Sequence, residues 1–160
     1  MDFSTPDLCD ADPALVQVVS GLHWQSYGGL EKFRGAIETV KCFEDNSRVK
    51  EALAEPGEGR VLVVDGGGSL RHALIGDQIA ARAADNQWSG IIIHGACRDV
   101  EVLCGINFGV MALGSVPLKS VRRGEGQTGL PVAFGGVVFR SGDWVYADTN
   151  GIIVAPKSLD

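Results

Sequence analysis

Two short segments carry residue types from which an anion- and metal-binding site can be built: Gly76-Asp77 and Arg98-Asp99. Arg98 offers a planar guanidinium fork suited to a carboxylate or a developing enolate oxygen. Asp99 is a hard oxygen ligand of the kind taken by Mg2+ or Mn2+, which keep several waters and need few protein ligands. Asp77 can orient a water or shuttle a proton. If a helix opens at residue 77, the amides of Asp77, Gln78 and Ile79 carry partial positive charge and can hold a carboxylate or phosphate. Gly76 would let that ligand approach the backbone. The competing explanation is structural. Each aspartate stands where a helix N-cap would stand, and Arg98 beside Asp99 would be a solvated ion pair of little value. Spacing alone leaves both explanations open.

The flanking sequence says how these segments are positioned. Val61–Val64 is a continuous apolar run, as in a strand buried on both faces. From Asp77 to Asn86 the apolar residues Ile79, Ala80, Ala83 and Ala84 fall on one helical face. Ser89-Gly90 turns the chain into a second apolar strand, Ile91–Ile93. This is a βαβ unit with a long first connection. Its strands are parallel, so both segments reach the carboxyl edge of the sheet, where ligands of open α/β sheets collect. A short helix is expected near Asp99 and a strand at Val110–Leu113.

Upstream, Thr5-Pro6 reads as an N-cap with proline at the first helical position. Asp12-Pro13 repeats the signal and predicts that Ala14–Val19 continues as helix. Gly21 to Gly35 reads as loop, Ala36–Phe43 as strand, and Ser47–Ala54 as a helix stopped by Pro56-Gly57. After residue 120 four short strands are expected: Val132–Phe134, Val137–Arg140, Trp144–Ala147 and Ile152–Ala155. Asn150-Gly151 is a hairpin-turn dipeptide between the last two. The reading is one α/β domain over residues 1–160, a βαβ core plus antiparallel C-terminal strands in layers.

Bulk properties exclude several function classes. The net charge is −6, and Arg122-Arg123 is the only basic pair, which argues against direct nucleic-acid binding. No apolar run approaches a membrane span and the N-terminus lacks a secretory pattern, so a cytoplasmic protein is expected. Cys9, Cys42, Cys97 and Cys104 show no C-x-x-C spacing and read as reduced thiols. Asp65-Gly66-Gly67-Gly68-Ser69-Leu70-Arg71 follows a strand like a phosphate loop, but Arg71 stands where G-x-G-x-x-G needs its third glycine. His23, His72 and His94 are too scattered for a His-rich metal site. His94 lies near the proposed edge. Lys41 reads as a solvent-facing strand lysine.

The spacing from Asp77 to Arg98-Asp99, with twenty residues between, matches the signature of class II 4-hydroxy-4-methyl-2-oxoglutarate aldolases. The chain resembles the RraA-like family to which they belong, a family named for a regulator of ribonuclease E activity. The resemblance extends to Thr5–Ala11, Val40–Asn46, Val61–Gly68, Phe134–Val137 and Tyr146–Gly151. It implies a swivelling β/β/α three-layer domain as in phosphohistidine domains, assembled as a homotrimer or a stacked hexamer. It implies a metal-dependent lyase that cleaves 4-hydroxy-4-methyl-2-oxoglutarate to two pyruvates and decarboxylates oxaloacetate. Both reactions pass through a pyruvate enolate, which a metal and an arginine stabilise. By this resemblance Gly76, Asp77, Gln78, Ile79 and Arg98 contact substrate, Asp77 and Arg98 are catalytic, and Asp99 holds Mg2+ or Mn2+. The family also contains regulators that bind and inhibit ribonuclease E as a protein partner. Lys41–Asn46 and Val61–Arg71 look more like that branch, whereas regulators are expected to lack one or both motif acids that this chain keeps.

Overall fold

The computed structural model describes residues 2–160. The chain opens with helix α1 (Thr5–Ala11) and short strands β1 (Gln17–Val18) and β2 (Gln25–Ser26). Strand β3 (Phe33–Lys41), helix α2 (Ser47–Ala54), and strands β4 (Val61–Asp65) and β5 (Ala73–Ile75) follow. Helix α3 (Asp77–Asp85), strand β6 (Gly90–Cys97), the single turn α4 (Val100–Leu103) and strand β7 (Gly109–Ser115) complete the central unit. The C-terminal part adds β8 (Gln127–Thr128), β9 (Val132–Phe134), β10 (Val137–Phe139), β11 (Trp144–Asp148) and β12 (Gly151–Ala155).

Ten strands form one mixed sheet, with β9 and β10 as a separate hairpin. β3, β4, β6 and β7 run parallel, and antiparallel β11 and β12 extend the sheet beyond β3. Alternation within β4 explains its unbroken apolar run. Leu62 and Val64 face one core with Val49 and Leu53 of α2 and Ala80 and Ala83 of α3. Val61 and Val63 face a second core with Phe134, Phe139, Val145 and Val154. A strand between two cores has no polar face to show, so every second residue must be apolar on both sides.

Four local expectations are corrected. Ser4, not Thr5, caps α1, its hydroxyl accepting from Asp7 N at 3.2 Å. Thr5 is buried and gives its amide and hydroxyl to the Asp148 carboxylate, each at 2.7 Å, which ties α1 to β11. The stretch Ala14–Val19 is not helical: α1 stops at Ala11, and Gln17–Val18 pairs with β12 instead. Pro13 disfavours helical backbone at the residue before it, and Asp12 has left the helix at φ −132°, ψ 58°. The long first connection of the βαβ unit also contains a strand. Ala73–Ile75 pairs with Ala96 and Cys97 of β6, wholly buried and parallel. That pairing brings Gly76 beside Arg98. At the C-terminal hairpin, Asp148 pairs with Gly151, so the two-residue turn is Thr149-Asn150, one position earlier than Asn150-Gly151.

Candidate functional site

Gly76-Asp77 and Arg98-Asp99 line one cavity of about 390 Å3 at the carboxyl edge of the parallel strands. Arg98 N donates to Ile75 O at 3.0 Å, so the strand ends themselves hold the two segments together. Asp99 has left-handed backbone at φ 58°, ψ 39°, a strained conformation for a residue with a Cβ. It stands at the N-cap position of α4 but makes no cap bond there. Its Oδ2 instead accepts from Asp77 N at 3.0 Å, capping α3 across the site. The N-cap explanation is therefore half right: Asp99 caps a helix, but another one.

Gly76 is glycine for the same reason. Its φ of −135° suits any residue, but a Cβ there would lie 2.5 Å from Asp99 Oδ2. The space was expected to serve a ligand; it serves the Asp99 carboxylate. With Asp77 N engaged, the amides of Gln78 and Ile79 remain the ones that helix geometry leaves without carbonyl partners. The Asp77 carboxylate makes no hydrogen bond among the described residues. Arg98 is held through Nη1 on Pro117 O at 3.4 Å, with Nε 3.9 Å from Asp99 Oδ2. The two side chains are 37% and 32% exposed, so both remain reachable from the cavity.

No group of three or more His, Cys, Asp or Glu side chains suited to a metal occurs among the described residues. A structural zinc site needs such a group; Mg2+ and Mn2+ do not, since they sit on one or two carboxylates with water and substrate oxygens. Asp99 fits that pattern. Oδ2 is fixed by the α3 amide, and no protein hydrogen bond among the described residues occupies Oδ1. Cys97, buried beside the site, is a packing residue: burial pushes its thiol up to about 12, so no thiolate is present at neutral pH.

The cavity also contains residues that the sequence did not single out as site residues: Asn46, Lys119, Ser120 and Arg122. Three of them come from an irregular loop after β7 with no periodic pattern. The available signal was the basic pair Arg122-Arg123 in an acidic chain. The other motifs stay apart. His94 stacks on Phe134 with centroids 4.9 Å apart and lies 3.4 Å from Asp65 Oδ1. His72 Nδ1 meets Lys119 O at 3.0 Å. In the Gly66–Gly68 loop, Gly66 N and Gly68 N donate to His94 O and Gly67 N to Asp65 Oδ1, so the amides are consumed internally.

A mixed α/β sheet whose strand ends gather a helix N-terminus, an arginine and an aspartate around one cavity defines an α/β protein with a candidate site at the sheet's carboxyl edge. The chain belongs to the RraA-like family: the family profile, described as Aldolase/RraA, matches residues 5–154. A relative from Alcanivorax borkumensis is 64% identical over 99% of both chains and bears the name "Putative 4-hydroxy-4-methyl-2-oxoglutarate aldolase". The RNA-processing inhibitor RraA of Thermus thermophilis superposes with a TM-score of 0.95 at 39% identity, covering 100% of this chain and 96% of that one. A Geobacillus kaustophilus structure described as an S-adenosylmethionine: 2-dimethylmenaquinone methyltransferase matches with a TM-score of 0.94 at 46% identity, covering 98% and 97%. Three different activities are thus attached to one fold, so the names do not choose among them and the site chemistry must. No helix among the described residues is long and apolar enough to cross a membrane.

Proposed function

We propose that the chain is a class II, divalent-metal-dependent lyase. It cleaves 4-hydroxy-4-methyl-2-oxoglutarate to two pyruvates and decarboxylates oxaloacetate. One observation carries this reading: Arg98, the Asp99 carboxylate and the first turn of α3 line one cavity of about 390 Å3, room enough for a small 2-oxo acid. The Gln78 and Ile79 amides and Arg98 bind the 2-oxo acid end. Gly76 keeps the Asp99 carboxylate seated against the helix. Asp77, through a water, takes the proton of the C4 hydroxyl as the C3–C4 bond breaks. The electron pair stays with C3 and spreads to the C2 oxygen, where Arg98 stabilises it. Asp99 would hold Mg2+ or Mn2+, and that ion supplies positive charge near the 2-oxo group. Loss of CO2 from oxaloacetate leaves the same enolate and needs no base. Asp77→Asn should therefore impair aldol cleavage more than decarboxylation.

The test is pyruvate release from both substrates in the presence of Mg2+ or Mn2+, above the metal-only background. Asp99→Ala should abolish it, and undiminished turnover in excess chelator would refute the metal role. The assembly we assign is a homotrimer or stacked hexamer in the cytoplasm, checked by sedimentation. The layering, with helices on one face of the sheet and a β-hairpin on the other, supports the swivelling β/β/α type. A second reading, a regulator that binds and inhibits ribonuclease E, is supported by the likeness to the Thermus inhibitor. It predicts a complex with the purified nuclease that survives Asp99→Ala, and failure to co-migrate at micromolar concentrations would count against it.

A further inference from the structure

The loop after β7 places a second guanidinium, that of Arg122, in the cavity that holds Arg98. Its setting is unusual. Asn46 occupies the N-cap position of α2, where an asparagine would ordinarily accept from the helix's first amides, yet it makes no cap bond. It is only 6% exposed, and its amide is spent elsewhere. Nδ2 donates to Leu74 O and Oδ1 accepts from Arg122 Nε, both at 3.0 Å. The amide orientation follows from the partners, because a carbonyl can only accept and a guanidinium can only donate. Asn46 thus forms a buried strut from β5, the strand that leads into Gly76, to Arg122.

The backbone beyond Arg122 is pinned as well. Arg123 N and Glu125 N donate to Asp45 Oδ2 at 2.7 and 3.2 Å, and Gly124 N donates to Ser47 Oγ at 3.1 Å. Arg122 is therefore held by its Nε and by its loop, while its two Nη groups have no acceptor among the described residues. A guanidinium presented in this way is a two-pronged donor for a carboxylate. Behind it a smaller cleft of about 190 Å3 is lined by Arg122, Lys50 and Arg82 and by no acid. That cationic surround favours an anionic group at Arg122 over a neutral tail.

We infer that Arg122 reads the distal carboxylate of a 2-oxo dicarboxylate, and that Asn46 is the residue that positions it. The inference rests on the proposed function, in which Arg98 and the α3 amides hold the 2-oxo acid end. Arg122 then sets specificity for diacids over monoacids, and Asn46 acts only through Arg122.

The test compares two probes of equal chain length, 2-oxoglutarate and 2-oxopentanoate, which differ only in the distal carboxylate. Their affinities for the full chain are measured by calorimetry with Mg2+ present. The wild type should bind 2-oxoglutarate at least about tenfold more tightly, the effect of one charge-assisted pair. Arg122→Ala should erase that gap and leave 2-oxopentanoate binding unchanged, which also shows that the variant is folded. Arg122→Lys should restore part of the gap. Asn46→Ala should weaken 2-oxoglutarate alone; weakening of both probes together would make Asn46 merely structural and overturn its positioning role. Equal wild-type affinities, or a gap that survives Arg122→Ala, would overturn the assignment of Arg122. If neither probe binds, the 2-oxo acid reading of the site fails and takes the inference with it.

Discussion

Two glycine-marked breaks lie at strand ends of the same parallel sheet, and they differ in what their glycines do. Gly67 and Gly68 follow β4 with φ of 67° and 75°, backbone that favours glycine for conformational reasons. The amides of that loop bond back to His94 O and Asp65 Oδ1, so it is a finished turn with nothing left to offer a ligand. Gly76 follows β5 in ordinary extended backbone and is glycine because the Asp99 carboxylate needs the space. There the helix amides, Arg98 and Arg122 remain available. Sequence alone makes the first break look more like a phosphate loop than the second. The comparison shows that what matters is whether the backbone donors are already spent.

Substitutions can break this contrast. Of the two glycine breaks, Gly76→Ala should have the larger effect, since its Cβ must displace the Asp99 carboxylate. A displacement of the acid by about 1 Å costs about a hundredfold or more in rate, and pyruvate release with Mg2+ should fall accordingly. Asp99→Asn keeps an oxygen for Asp77 N but removes the charge. It should lose roughly a hundredfold in metal-dependent rate, while the urea midpoint moves by less than about 1 kcal/mol equivalent.

Asp45 tests the loop that closes the cavity. Burial raises its pKa, but hydrogen bonds from Ser47 Oγ and from the amides of Ser47, Arg123 and Glu125 outweigh that and leave it at about 2. Its folded pKa is thus below its unfolded value. The stability it contributes is full above about pH 4 and is lost as pH falls toward 2. Asp45→Ala should destabilise the fold by about 2 kcal/mol at neutral pH and flatten the acid limb of an unfolding profile measured between pH 5 and pH 2. The smallest effect belongs to the finished turn. Gly68→Ala should cost about 1 kcal/mol for the left-handed backbone, with pyruvate release unchanged, because a Cβ there meets only His94 at 3.4 Å. A large activity loss in Gly68→Ala would erase the distinction between the two breaks.

Much of the frame was legible because burial on two faces writes itself as apolar runs. Val61–Val64 and Ile91–Ile93 are central parallel strands, and Ser47–Ala54 matches α2 residue for residue. Where local signals competed with long-range pairing, they lost. Ala14–Val19 carries a helix-start signal, but the β12 edge recruits Gln17 and Val18. Ala73–Ile75 is too short to stand out, yet its pairing with β6 joins the two halves of the site.

The sequence by itself determined the family, the parallel core, and the convergence of Asp77, Arg98 and Asp99 on one edge. Periodicity and strand order carry those facts, and both are local or nearly so. Only the tertiary structure decided that Gly76 makes room for a carboxylate and that Asp99 caps the helix opposite its own. It alone brought Asn46 and Arg122, 76 residues apart, into one hydrogen bond inside the cavity. Side-chain partners across such distances leave no pattern in the chain, because the contact exists only once the layers have packed.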